Sequence, residues 1–197
     1  MIALGLTGGV GMGKSAAAQF FRQAGVAVVD TDVLAREVVQ PGQPAWHEIR
    51  QAFGESVIDP DGQVRRQELA RLVFADEVKR RELEAIVHPR VRERWLAAVA
   101  AWRATGIPCG LVVVPLLFET NAAPRFDRVV CVACSAPTQR ERLVARGWDD
   151  RESDRRIAAQ WPIERKMQLS DHVLWSEGTL DVLRDQVTRI LRTLRVG

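Results

Sequence analysis

No stretch of this chain stays apolar for long. The longest run, Leu111 to Phe118, falls far short of the roughly 20 residues that a membrane span requires. No basic leader precedes the strand-like segment Ile2 to Thr7, so a signal peptide is not expected. Charge of one sign is scarce too: 28 basic residues face 25 acidic ones, a net +3 spread along the chain, where a nucleic-acid binder would gather a stripe. Among the cations lysine is rare, with only Lys14, Lys79 and Lys166. The rest are arginines, whose planar fork suits phosphate, though most of them are read as compositional bias. Cysteine is limited to Cys109, Cys131 and Cys134, an odd number without framework spacing. Cys131 and Cys134 form a CxxC inside the apolar run RVVCVAC, where residues three apart point to opposite faces of a strand. Redox thiols favour helix N-termini instead, and neither a second CxxC nor a histidine pair at metal spacing completes a zinc site. Core thiols and no zinc are expected. Repeats, low-complexity segments and Pro/Ser linkers are absent as well.

What is present is 197 residues with 47% apolar and 27% charged content, ample for a core in one compact domain with an insertion. A cytoplasmic globular protein is expected, without membrane or nucleic-acid partners. Ile2 to Thr7, Val26 to Val29, Cys109 to Val114, Arg128 to Ala133 and His172 to Trp175 are predicted strands. Helices are predicted at about Lys14 to Ala24, Pro137 to Arg146 and Leu180 to Leu194, with a further helical segment at AAQW. Strand, helix and strand in the opening order make a right-handed parallel unit. Between the second and third strands, apolar residues recur at helical spacing: Leu69, Leu72 and Val73, then Leu83, Ile86 and Val87, then Val91, Trp95 and Val99. Pro89, after His88, is placed at a helix start. Trp95 and Trp102 lie one heptad apart, which is core spacing. The outline is an α/β fold, a five-stranded parallel sheet flanked by helices. Residues 1–31 and 107–197 are expected to form its core, 32–106 a helical insertion, and about 147–165 a charged flap.

Gly8-Gly9-Val10-Gly11-Met12-Gly13-Lys14-Ser15 fits GxxxxGK(S/T) between a strand and a helix, the setting the motif needs. A triphosphate demands many short donors at once. Glycines let consecutive backbone N–H groups turn inward, and the following helix adds the positive end of its dipole. Lys14 is expected on the β- and γ-phosphates and the Ser15 hydroxyl on Mg²⁺. A chance glycine-rich turn is the competing explanation, and the register of strand, motif and helix argues against it. No NKxD-like guanine-reading motif follows. At the end of the second strand, Val28-Val29-Asp30-Thr31-Asp32 places two carboxylates at the edge where open α/β sheets bind ligands. They suit Mg²⁺ ligation through water or proton abstraction from a hydroxyl; the alternative is that both only cap the next helix.

GLTGGVGMGKS, VVDTDVLAREVVQPG, IVHPRV, VPLLFE, QRERLVAR and RIAAQ, in this order and spacing over nearly the whole chain, resemble the dephospho-coenzyme A kinase family. The resemblance implies a P-loop NTPase-type three-layer fold with a helical acceptor-binding insertion and a lid. It implies transfer of the ATP γ-phosphoryl group to the ribose 3′-hydroxyl of dephospho-CoA with Mg²⁺, in a monomer or small homo-oligomer. It makes Asp32, Lys14 and Arg142 the catalytic set, with Asp32 orienting or deprotonating the hydroxyl and Arg142 as the lid arginine. Around the nucleotide it implies Gly9, Gly11, Met12, Gly13, Lys14, Ser15, Ala16, Arg142 and Ser176, and around the metal Ser15 and Asp32. Around the acceptor it implies Arg36, His88, Pro115, Leu116 and Leu117. Glu119 either organises that pocket or caps the following turn. For Arg142 a solvated helix face is the competing explanation, which suits Arg140 and Arg146 better. Four positions depart from the family pattern: Met12 for a small residue, Thr31 for Ala, Ser176 for Asn near the adenine, and Val113 where some members carry Asp. The rivals are a P-loop kinase for another small acceptor, such as a nucleoside, nucleotide or shikimate-like molecule, and a nucleotide-binding regulator without transfer chemistry.

Overall fold

The computed structural model describes residues 1–194. Five strands form one parallel sheet: β1 (Ile2–Gly8), β2 (Ala27–Asp30), β3 (Cys109–Val113), β4 (Arg128–Ala133) and β5 (His172–Trp175), in the order β2-β3-β1-β4-β5. Parallel strands covered on both faces need apolar residues on both, which is why β3 and β4 are near-continuous Val, Leu and Cys. β1 is central, with Leu6 opposite Val113 on one side and Val130 on the other.

The two faces of the sheet are closed differently. On one, α1 (Lys14–Gln23) and α9 (Leu180–Thr193) pack Ala17, Ala18, Phe21, Leu183, Val187, Ile190 and Leu191 against Leu4, Leu6, Leu111, Val130 and Leu174. Each Val, Leu, Ile or Phe among them taken from water contributes roughly 1.5–3 kcal/mol. On the other face small residues let bulky ones close in. A Cβ on Gly110 would fall 2.1 Å from Trp102, and one on Gly5 would fall 2.7 Å from both Leu117 and Phe126. At the amino-terminal edge side chains serve the backbone: Asp127 accepts the Ala3 N–H and Asp171 the Val129 N–H, each at 2.7 Å.

The chain divides into two compact units, Met1–Asp30 with Val99–Gly197, and Thr31–Ala98. The second comprises α2 (Thr31–Glu37), α3 (Pro44–Phe53), α4 (Arg66–Ala75) and the greater part of α5 (Glu77–Ala104). Ala45, Ile49, Val57, Leu69, Val73 and Ile86 form its own core. In the first unit, α6 (Ala136–Val144) is capped by Ser135, and α7 (Asp150–Ala158) by Asp149; α8 (Ile163–Gln168) follows Pro162.

Two sequence expectations are corrected. Pro89 does not start a helix; it lies inside the 28-residue α5. Proline removes one backbone donor and crowds the preceding turn. That turn persists because Ile86, Val91 and Trp95 are buried on either side of it. The Arg90 guanidinium also donates to the Ile86 carbonyl and to Glu48 of α3. AAQW is likewise not a helix of its own. Ala158 ends α7, Gln160 closes a turn onto the Ile157 carbonyl, and Trp161 precedes Pro162, which restricts the residue before it to non-helical backbone. All three cysteines are free and buried, and burial raises the Cys109 and Cys131 thiols to about 11, so both stay protonated core side chains.

Candidate active site

β1 ends at Gly8, and the glycine loop turns over the carboxyl edge of the central strand into α1. Gly8 is required by a close approach: a Cβ there would sit 2.2 Å from the Val132 carbonyl oxygen of β4, at a φ of +144°. Gly13, the residue before α1, adopts the left-handed conformation with φ 91°. That geometry opens the helix N-terminus toward a phosphate group. The Lys14 ammonium donates to the Gly8 and Gly9 carbonyls at 3.0 and 2.9 Å, so it lies along the loop. Ser15 is exposed in the first turn of α1. Val10, at the tip, is held from two sides: its N–H donates to Gln160 Oε1 at 2.8 Å, and its carbonyl accepts from Gln139 at 2.7 Å.

Arg142 projects from α6 and donates to the Ser176 hydroxyl at 2.9 Å and the Ser176 carbonyl at 2.6 Å. The same hydroxyl donates to the Met12 carbonyl at 2.8 Å, so the guanidinium is tied through one serine to the glycine loop. A cavity of about 370 Å³ lies here, lined among others by Gly11, Gly13, Ala16, Arg142, Ser176 and Gly178. Five residues expected around the nucleotide thus share one cavity. Glu177 fixes the loop behind it. Its carboxylate takes the Ser135 N–H and the Thr138 hydroxyl at 2.9 Å each, and the Trp175 indole at 3.1 Å. Hydrogen bonding from Ser135, then Thr138, lowers its pKa to about 2.

Pro115 to Glu119 form a turn at the carboxyl end of β3. Leu117 is wholly buried against Gly5, so its side chain serves the core. Glu119 Oε1 meets the Lys166 ammonium at 2.7 Å and accepts the Trp161 N–H at 2.9 Å. Arg140 is exposed and paired with Asp154 across α6 and α7. In the other unit, Asp32 and Arg36 are exposed four residues apart on α2, hence on one helix face. His88 lines a cleft of about 560 Å³ with Glu84, Pro89 and Arg92. Among the described residues no cluster of three or more His, Cys, Asp or Glu could hold a metal ion unaided. The described residues also contain no helix long and apolar enough to cross a membrane.

The sequence model of dephospho-CoA kinase matches residues 2–181. A dephospho-CoA kinase of Anaeromyxobacter dehalogenans is 42% identical over 198 residues, covering 100% of this chain and 94% of that protein. One of Bacillus cereus (strain ATCC 10987) is 38% identical over 196 residues, covering 99% and 98%. The chain belongs to the dephospho-CoA kinase family. A crystal structure of a Thermus thermophilus protein superposes with a TM-score of 0.84 at 33% identity, covering 98% of this chain and 97% of that one. The dephospho-CoA kinase of Campylobacter jejuni (TM-score 0.67, 16% identity, 98% and 96% covered) shares the fold.

Three of the departures from the dephospho-CoA kinase pattern have structural accounts. Met12 is buried against Ala133, Cys134, Ile163 and Met167, so its side chain is core and its carbonyl receives Ser176. Ser176 supplies one hydroxyl that joins loop to arginine. Val113 is buried in β3. Nothing in the structure explains Thr31 beyond its burial. Sequence reading gave no roles to Gln139, Gln160, Glu177 and Lys166. For Gln160 the signal was the RIAAQ segment; for Lys166 it was its rarity, one of three lysines in an arginine-rich chain.

Proposed function

We propose that this chain transfers the γ-phosphoryl group of ATP to the ribose 3′-hydroxyl of dephospho-CoA, giving CoA and ADP, in the cytoplasm. The observation that carries this reading is the Arg142–Ser176–Met12 connection, which fastens a guanidinium to the triphosphate loop beside a nucleotide-sized cavity. Phosphoryl transfer asks for positioning and charge neutralisation more than for covalent chemistry. Lys14 leaves the Gly8 and Gly9 carbonyls for the β- and γ-phosphate oxygens, and Arg142 faces the charge that grows on the transferring group. Asp32 takes the acceptor proton, or orients the hydroxyl for in-line attack. Ser15 and Asp32 are the residues that would hold Mg²⁺, which when bound would add neutralisation of the phosphate oxygens. Arg36, His88 and the Pro115–Leu116 turn receive the acceptor.

The direct test is ADP release with and without dephospho-CoA, with the product's phosphate position read by NMR. Phosphorylation of a nucleoside monophosphate or of shikimate, but not of dephospho-CoA, would overturn the reading. Asp32→Asn sharpens it: ATP still binds while turnover drops by on the order of 10²–10⁴. Unchanged turnover removes Asp32 from the chemistry.

A further inference from the structure

Lys166 is fully buried, an uncommon place for an ammonium unless it is paired. It donates to the Pro115 carbonyl at 2.9 Å and pairs with Glu119 Oε1 at 2.7 Å, while Glu119 Oε2 is buried without a hydrogen-bond partner. The Pro115 carbonyl also accepts the Thr7 hydroxyl at 3.2 Å, from the residue just before the glycine loop. One short stretch, Gln160 to Met167, therefore touches both loops at the carboxyl edge of the sheet. Gln160 holds Val10, Ile163 and Met167 pack on Met12, and Lys166 with the Trp161 amide holds Pro115 and Glu119.

A buried ion pair is poor insulation against unfolding, since an apolar pair of equal volume is often as stable. What it does give is direction: two fixed partners that set where the Pro115 turn lies relative to the triphosphate loop. We infer that Lys166 and Glu119 are positioning residues for phosphoryl transfer, acting through the Pro115 carbonyl and touching neither substrate. This rests on the proposed reaction and assigns Glu119 an internal partner in place of the acceptor.

The test is the charge-free pair Glu119→Gln with Lys166→Met, combined with Thr7→Val, in the ATP and dephospho-CoA assay. Wild-type turnover in the same assay checks the reaction itself, so a failure there is separable from a failure here. The expected result is a folded protein whose kcat falls roughly 10- to 100-fold, as a displacement of about 1 Å can produce. Its ATP affinity stays within about threefold by titration calorimetry. Thr7→Val alone lowers kcat in the same direction, and the two changes combine less than additively because they act on one carbonyl. A folded pair variant with wild-type kcat overturns the inference. So does a loss confined to a raised KM for dephospho-CoA with no coupling to Thr7, which would put Glu119 on the acceptor. If the pair variant does not fold, Thr7→Val decides alone: wild-type kcat rejects the role of the Pro115 carbonyl.

Discussion

Both units of this chain carry exposed ion pairs, such as Arg140–Asp154 in one and Arg50–Glu55 in the other, but they differ in the buried polar contacts added to them. In the unit carrying the glycine loop, the contacts that shape the site join residues far apart in sequence and are buried or partly buried: Val10 with Gln139 and Gln160, Ser176 with Met12, Lys166 with Pro115 and Glu119. In Thr31–Ala98 the ion pairs are surface pairs, most of them local: Arg50–Glu55, Arg71–Glu68, Arg80–Glu77 and Arg81–Glu77. Two that span elements, Arg90–Glu48 and Arg94–Glu37, are also solvent-accessible. An exposed pair contributes up to ~1 kcal/mol, so that unit depends on its apolar cluster for stability. Buried polar groups appear where a loop has to hold one position against a highly charged ligand. Precise placement, not stability, accounts for them.

The largest expected difference comes from breaking one pair in each unit from one side. Lys166→Met strands a carboxylate whose other oxygen already lacks a partner, and should cost about 3–5 kcal/mol, which lowers the melting temperature by about 10 °C. Arg94→Met, removing the exposed pair with Glu37, should cost less than ~1 kcal/mol. Thermal and urea unfolding of both variants measures the gap. Equal costs would erase the distinction between the units.

The fold was legible because its signals are local. The strand Arg128–Ala133 has the predicted bounds, since a buried parallel strand reads as an unbroken apolar run. The glycine loop was legible because phosphate chemistry admits few residue types at that spacing. Pro89 misled because proline is a local signal, while the anchoring of α5 comes from Arg90 reaching Glu48 on another helix. The same limit hid the rest of the site. Gln139, Gln160 and Lys166 act on Val10 and Pro115, dozens to over a hundred positions away, and no periodicity announces such a pairing. Ser176 stood out only as a departure; its hydrogen bond to Met12 spans 164 positions.

A smaller effect on the nucleotide-side unit is in pH. Glu177 has its folded pKa lowered to about 2 from an ordinary value of 4.5. A depressed carboxylate pKa means that the unfolded chain binds the proton first. Its contribution is therefore whole above pH 4.5 and is lost as pH falls toward about 2. Glu177→Gln should lower the melting temperature at pH 7 and lose that deficit as the pH drops through this window. A deficit that persists undiminished at the acid end would assign the loss to packing.

The smallest effect is in salt, and it tests the comparison at its root. Glu177 owes its low pKa to hydroxyl and amide donors, whereas Glu77 and Glu68 in the other unit owe theirs to hydrogen bonds from the guanidinium groups of Arg81 and Arg71. At about 1 M salt the screening length shrinks to about 3 Å, which weakens exposed ion pairs and leaves neutral donors in place. Carboxyl NMR titrations at low and high NaCl should show Glu77 and Glu68 moving up toward the usual carboxylate range while Glu177 stays near its low value. A Glu177 pKa that rises in step with theirs would mean that its loop, too, is held by surface charge. The nucleotide-side frame would then be no more built-in than the pairs on α4 and α5.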